Sequence, residues 1–221
     1  VTVDSNLVAS FTKLFDSMAK AWLSTKLAAE KSEDEDQKKR FIPADDFAVK
    51  NFIFSLVWSI GASIKADGRQ KLDVFLKEVL ASNADIVPTS KYCSERSLYD
   101  WTLDLNSKKG DWVYWMDTVP AYNLDLKKTD FSKILVPTLD GVRNSAVVKT
   151  LVQGKQHVLV VGNTGTGKSL GVVDQLVNLD SDQYMTAFMA FSASTSAVFF
   201  ETTKFSNRRF PTAISSILVS M

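Results

Sequence analysis

The sequence has one cysteine, one histidine, almost no net charge and no long apolar run. Each shortage excludes something. Cys93 has no second cysteine for an internal disulfide, which points to an intracellular chain, and one loop thiol beside Lys91 takes no role. His157 alone cannot build a Cys/His zinc site or a His-supported triad, and nothing places a nucleophile next to it. With 26 Lys+Arg against 25 Asp+Glu and a net charge of +1, no overall field draws the chain to nucleic acid or an anionic membrane. The longest uncharged run, Gln183 to Phe200, carries too many Ser and Thr residues to span a bilayer. Residues 1–6 show no basic-then-apolar pattern, so no secretory signal or targeting tag is expected. No internal repeat is visible. What remains is a chain of 221 residues, 45% hydrophobic and 23% charged, enough to bury the core of one large or two small domains.

The first part reads as helical. Leu7, Phe11, Leu14, Phe15, Met18 and Trp22 recur at helical spacing from Ser5 to about Ala29, with Asp4 or Ser5 as N-cap. Residues 30–40 mix acids and bases without apolar period and read as a solvated loop. Pro43 and the pair Asp45 and Asp46 announce a second helix whose apolar stretch, Phe47 to Ile60, is expected to be buried nearly all round. After an Ala66-Asp67-Gly68 turn, Leu72, Phe75, Leu76, Val79 and Leu80 mark the core face of a third helix.

The period then changes. Tyr99, Trp101, Leu103 and Leu105 alternate, Ser107 to Gly110 supply turn chemistry, and Trp112 to Trp115 form an aromatic run. This predicts a hairpin whose aromatics pack on the core rather than on nucleic-acid bases. Pro120 and Pro137 bracket an irregular connection, and Thr138 with Asp140 can cap a helix carrying Val142, Ala146, Val147 and Leu151. The domain boundary is expected near residues 118–130, giving a helical subdomain with a hairpin over 1–125 and the opening of an α/β domain over 126–221. In the second domain, His157 to Val161 reads as a buried strand, Leu170 to Leu179 as a helix and Tyr184 to Phe191 as another strand.

Between the first of these strands and the helix lies Gly162-Asn163-Thr164-Gly165-Thr166-Gly167-Lys168-Ser169, followed by Leu170. The spacing is that of a phosphate loop. Its glycines let successive backbone N–H groups turn inward, and the helix directs its positive end at the same anion. Lys168 reaches the terminal phosphates, and Ser169 offers a hydroxyl to Mg2+. Background frequencies give such a pattern by chance in roughly one per cent of chains this long, and the strand before and helix after it lower that further.

Hydrolysis requires more than the loop. The acids after Lys168 are Asp174, Asp180, Asp182 and Glu201, and none ends an apolar strand where it could hold magnesium and orient water. About 50 residues follow Ser169, fewer than two strand–helix units at roughly 30 residues each. The α/β domain is therefore expected to be incomplete, and this chain alone is expected not to turn over ATP. No Asn-Lys-x-Asp element supports a GTPase. A non-hydrolysing nucleotide-binding module stays open as an alternative, and a small P-loop kinase is a further one.

Several separate motifs together resemble a dynein heavy chain. They are Phe52 to Gly61, Trp115-Met116 near Pro120, Ile134 to Thr138 with Asp140 and Arg143, the loop Gly162 to Ser169, Phe191-Ser192-Ala193, and Thr195-Ser196-Ala197. The resemblance, over roughly residues 5–197, implies the lid of the second AAA+ module of a motor ring followed by the start of the third. It implies part of an ATP-driven, minus-end-directed microtubule motor, in which the third module binds ATP or ADP with Mg2+ and regulates the main hydrolytic site. The implied partners are neighbouring AAA+ modules, with microtubules and light or intermediate chains engaged by other parts of the heavy chain; no nucleic acid or membrane partner is expected.

Val136-Pro137-Thr138 match the segment beside the adenine, and the loop residues match the phosphate grip. Asn163 stands where proline is usual, a change expected to alter loop stiffness more than binding. Ile60 to Ser63 and Asp67-Gly68-Arg69 resemble axonemal members, which implies a cytoskeletal location in a cilium or flagellum. Residues 198–221 depart from the family pattern, as expected of a truncated or mis-spliced reading frame, and would carry unpaired apolar strands.

Overall fold

A computed structural model of the chain describes residues 3–31, 42–81, 96–105, 107, 110–119, 136–163, 165–179, 184 and 217–219. The chain divides into two compact units, Val1–Gly154 and Lys155–Met221.

The first unit is built on three long helices, α1 (Asp4–Glu30), α2 (Ala44–Ser59) and α3 (Ala66–Leu80), with a hairpin of β1 (Trp101–Leu103) and β2 (Trp112–Tyr114) and a fourth helix, α4 (Leu139–Gln153). Leu14 and Met18 of α1 meet Phe47, Phe54, Val57 and Trp58 of α2 in one core, closed by Leu76, Leu98, Tyr99, Leu103 and Trp115. The hairpin is antiparallel, with Thr102 opposite Val113, and Trp101 and Trp115 are buried. Trp101 of the hairpin and Trp115 just after it therefore pack inward, while Trp112 and Tyr114 are half-buried.

Several helical expectations need correction. The N-cap of α1 is Val3, without a side-chain cap, so neither Asp4 nor Ser5 has that role. Ala66-Asp67-Gly68 is the first turn of α3, not a turn before it. On α3, Leu76 is buried and Leu72 and Leu80 pack against the core, while Phe75 and Val79 are exposed. Polar anchoring decides the helix orientation: the Asp73 carboxylate accepts from the Leu98 amide at 2.6 Å and from Lys77 Nζ at 2.8 Å, and Lys77 also donates to the Arg96 carbonyl at 2.7 Å. These bonds turn α3 so that its Asp73–Lys77 side faces residues 96–98.

Helix α2 is not buried all round either. Phe52 is 50% exposed and Val49 43%, whereas Lys50, Asn51, Ser55 and Ser59 are buried. These four side chains find partners, three of them along α1 and α2. Asn51 Nδ2 donates to the Phe15 carbonyl at 3.0 Å, Ser55 Oγ to Asn51 Oδ1 at 3.1 Å, and Ser59 Oγ to the Ser55 carbonyl at 2.5 Å. Lys50 Nζ donates to the Gly110 carbonyl at 3.3 Å and so ties the hairpin turn to α2. Hydrogen bonds of this kind offset most of the cost of taking these side chains out of water.

Thr138 caps α4 by accepting from the Gly141 amide at 3.1 Å, and Leu139, Val142, Ala146, Val147 and Leu151 all pack on the core of the first unit. This helix, which lies beyond the boundary expected near residues 118–130, therefore packs within the first compact unit, Val1–Gly154. Close approach explains the attachment: a Cβ on Gly154 would overlap Ser17 of α1, so α1 and α4 meet at a contact that only glycine permits.

Tyr99 lies in this core with its hydroxyl lacking a partner among the described residues. A Cβ on Gly61 would stand 2.6 Å from that oxygen. Burial raises the phenol above its usual 10.0, Arg69 acting in the opposite direction. The fold thus favours the neutral phenol. Its contribution to stability is complete below the unfolded-state value and is lost as pH rises through the raised folded value. Tyr99→Phe is expected to leave stability within about 1 kcal/mol at neutral pH, because no hydrogen bond is lost. Urea denaturation at neutral pH and at about pH 11 should show a smaller alkaline loss in the variant.

The second unit contains β3 (Val158–Val160), α5 (Lys168–Val177) and β4 (Ile217–Val219). β3 and β4 pair in parallel, with Leu159 opposite Leu218. Parallel pairing is the mark of an α/β arrangement. Two expectations change here. Residues 217–219, in the stretch expected to be left unpaired, form the neighbouring strand. β3 is not a buried strand, since Leu159 is 61% exposed and one strand alone pairs with it among the described residues. The predicted strand from Tyr184 to Phe191 lies, apart from Tyr184, outside the described residues.

Candidate phosphate-binding site

β3 leads directly into the loop and the loop into α5, the strand–loop–helix order the pattern requires. Gly165 and Gly167 adopt left-handed backbone, φ +82° and +76°, and an added Cβ on either would meet no atom within 4 Å. The left-handed backbone favours glycine at both positions, and the space beside them is open. Gly167 is the N-cap of α5, and no side chain caps the helix, so the first-turn amides are free of side-chain competition.

Lys168 and Ser169 open α5, and Ser169 and Leu170 are exposed. The lysine folds back on the loop: its Nζ donates to the Asn163 carbonyl at 2.5 Å and to Thr166 Oγ1 at 3.4 Å. Thr166 Oγ1 itself donates to the Asn163 carbonyl at 2.9 Å. These features fit a phosphate group in the donor set, namely backbone amides at a helix start, an ammonium and a hydroxyl.

The structure brings Gly162, Asn163, Gly165, Thr166, Gly167, Lys168, Ser169 and Leu170 together; Thr164 lies outside the described residues. Val136, Pro137 and Thr138 stand in the first unit, at the start of α4, with Val136 69% exposed. His157 is exposed at the start of β3, and Cys93 lies outside the described residues. Among the described residues no group of three or more His, Cys, Asp or Glu residues could hold a metal ion, and no helix is long and apolar enough to cross a membrane. The spacing of the motif did not reveal the internal bond of Lys168, because the acceptor is a backbone carbonyl that any residue at position 163 would supply.

Comparison with known proteins gives the same loop a family. Residues 1–117 match the dynein heavy chain AAA lid domain, and residues 124–206 match the P-loop containing dynein motor region. The chain belongs to the dynein heavy chain family. It is 35% identical over 155 residues to dynein axonemal heavy chain 12 of Rattus norvegicus and 36% identical over 155 residues to the Homo sapiens protein of that name. It is 34% identical over 146 residues to the dynein-1-beta heavy chain, flagellar inner arm I1 complex, of Chlamydomonas reinhardtii. Each of these matches covers 66% of this chain. The chain spans about a twentieth of the length of the two axonemal relatives and 3% of the algal one.

The dynein lid match takes in α1 to α3 and the hairpin, and the motor-region match takes in α4, β3, the loop and α5. Within the first unit the two matched regions are physically joined: Arg143 of α4 stands 3.6 Å from Asp100 and lies over the Trp58 ring at 5.8 Å. An AAA+ P-loop architecture follows from the two matches, and the parallel β3–β4 pair and the hairpin agree with it.

Proposed function

We propose that this dynein segment is a nucleotide-binding part of a microtubule motor ring, with Gly162 to Leu170 gripping the phosphates of ATP or ADP. The observation that carries the reading is the pair of left-handed glycines set in open space before an uncapped helix that begins with Lys168. Ser169 takes Mg2+, which when bound shields charge on the phosphates, and Val136, Pro137 and Thr138 correspond to the family's adenine-side segment. The axonemal names of the relatives support a place in a cilium or flagellum, with neighbouring AAA+ modules, microtubules and light or intermediate chains as partners of the whole heavy chain. In sequence the lid is assigned to 1–125 and the P-loop domain to 126–221, although α4 of the latter packs within the first compact unit; residues 198–221 are atypical of the family.

Hydrolysis is assigned to the whole motor. The described acid after Lys168, Asp174, lies on α5 itself, which favours binding without turnover by these residues. Mg-ATP should raise the thermal unfolding midpoint of the full chain, by the equivalent of about 2.7 kcal/mol at a hundredfold excess over Kd, without phosphate release. An unchanged midpoint over millimolar nucleotide would reject the reading.

A further inference from the structure

β4 lies outside the regions that match dynein, since the motor-region match ends at residue 206, yet it stands beside the strand from which the phosphate loop springs. It pairs in parallel with β3, Val158 opposite Ile217, Leu159 opposite Leu218 and Val160 opposite Val219. Parallel strands end at the same edge of their sheet, so β4 stops level with the end of β3, just before the loop opens at Gly162. Open α/β sheets place their ligands at that edge. β4 also approaches α5, so one short segment meets the element before the loop and the element after it.

The loop has little of its own to hold its shape. Gly165 and Gly167 stand in open space, and Leu159 of β3 and Val161 just after it are 61% and 69% exposed, so side-chain packing contributes little at this point. A strand of three residues does not persist alone, and a two-stranded sheet needs a helix packed on it. Among the described residues β4 is the one strand paired with β3, and its approach to α5 brings the helix. From this placement we propose that β4 is a brace for the nucleotide site: a strand from outside the family-matched region pins β3 and α5, the two arms of the phosphate loop, and thereby sets the fraction of molecules whose loop is formed. The brace rests on the nucleotide-site reading for its effect on affinity, and on the β3–β4 pairing for its existence. Apparent affinity falls in proportion to the fraction of competent sites.

Proline substitution in the full chain tests the brace, because proline has no N–H to give to the ladder. Successive N–H groups along a strand point to opposite sides, so either Ile217→Pro or Leu218→Pro removes a bond directed at β3. Leu218→Ile keeps every N–H and serves as the control. Hydrogen exchange, read by mass spectrometry on peptides covering 158–160 and 171–177, should quicken about tenfold in the more damaging proline variant and stay at the wild-type rate in Leu218→Ile. Mg-ATP affinity, measured by titration calorimetry, should fall about 5- to 20-fold in the same proline variant. Peptides from α1 and α2, in the other compact unit, report whether the chain is folded; a proline variant in which they also exchange quickly is replaced by Leu218→Gly, which weakens the strand but keeps the N–H. Wild-type exchange at 158–160 in both proline variants, or faster exchange with affinity within about twofold of wild type, would overturn the brace. If the wild-type chain takes up no Mg-ATP, the nucleotide-site reading fails, and the exchange rates still decide whether β4 holds β3 and α5.

Discussion

Lys168→Ala is expected to weaken binding of Mg-ATP to the full chain by about 10- to 100-fold, as measured by titration calorimetry. The size follows from the chemistry of the contact, since a hydrogen bond to a charged group is worth about 1.5–3 kcal/mol and each 1.4 kcal/mol is about tenfold in affinity. The backbone amides of the loop and the start of α5 remain, so binding should fall without vanishing. Folding should be nearly unaffected, because the bonds that Lys168 makes are solvent-exposed contacts within its own loop. A variant whose unfolding midpoint matches wild type but whose affinity drops isolates the ammonium as the phosphate contact. If affinity stays within about twofold of wild type, the lysine does not touch the ligand and the phosphate-grip reading fails. Lys155→Ala, an exposed charge in the same unit, serves as the control for a general electrostatic effect.

How far the sequence could be read depends on the range over which each feature is determined. The loop was legible because its function sits in a fixed local spacing, where Gly165 and Gly167 need left-handed backbone whatever surrounds them. The hairpin was legible for a similar reason, as Trp101 and Leu103 alternate across a turn of fewer than ten residues. Thr138 capped the helix it was expected to cap, another local bond. By contrast, the orientation of α3 depends on Asp73 meeting the amide of Leu98, a pairing that no helical period reveals. The polar seam of α2 escaped for the same reason: Asn51 looks like an interruption in an apolar run until the Phe15 carbonyl stands opposite it. Assignment of α4 to the first unit turns on Gly154 meeting Ser17, residues far apart in the chain. Apolar spacing identified the packed face of α4 correctly but could not say which unit it packs against.

Trp58→Ala should be the most damaging single substitution in the first unit, lowering its stability by about 3–5 kcal/mol in urea denaturation. Trp58 is 9% exposed, and its ring meets Tyr99 and Trp115 edge-on at 6.0 and 5.8 Å, with Phe54 at 6.5 Å. Truncation would leave a cavity ringed by large aromatics whose positions are fixed by α2, by the hairpin and by Tyr99, so the site can collapse only in part. It would also remove the face over which Arg143 lies, loosening α4 from the lid helices in addition to emptying the core. Phe75→Ala supplies the contrast. Both residues belong to apolar stretches assigned to the core from sequence, but Phe75 is 58% exposed, and its truncation should cost less than about 1 kcal/mol. Losses of similar size for the two variants would mean that the α3 face carrying Phe75 is packed as tightly as the Trp58 cluster. A large loss at Trp58 alone would show that the aromatic cluster joining α2, the hairpin and α4 is the mechanical centre of the unit.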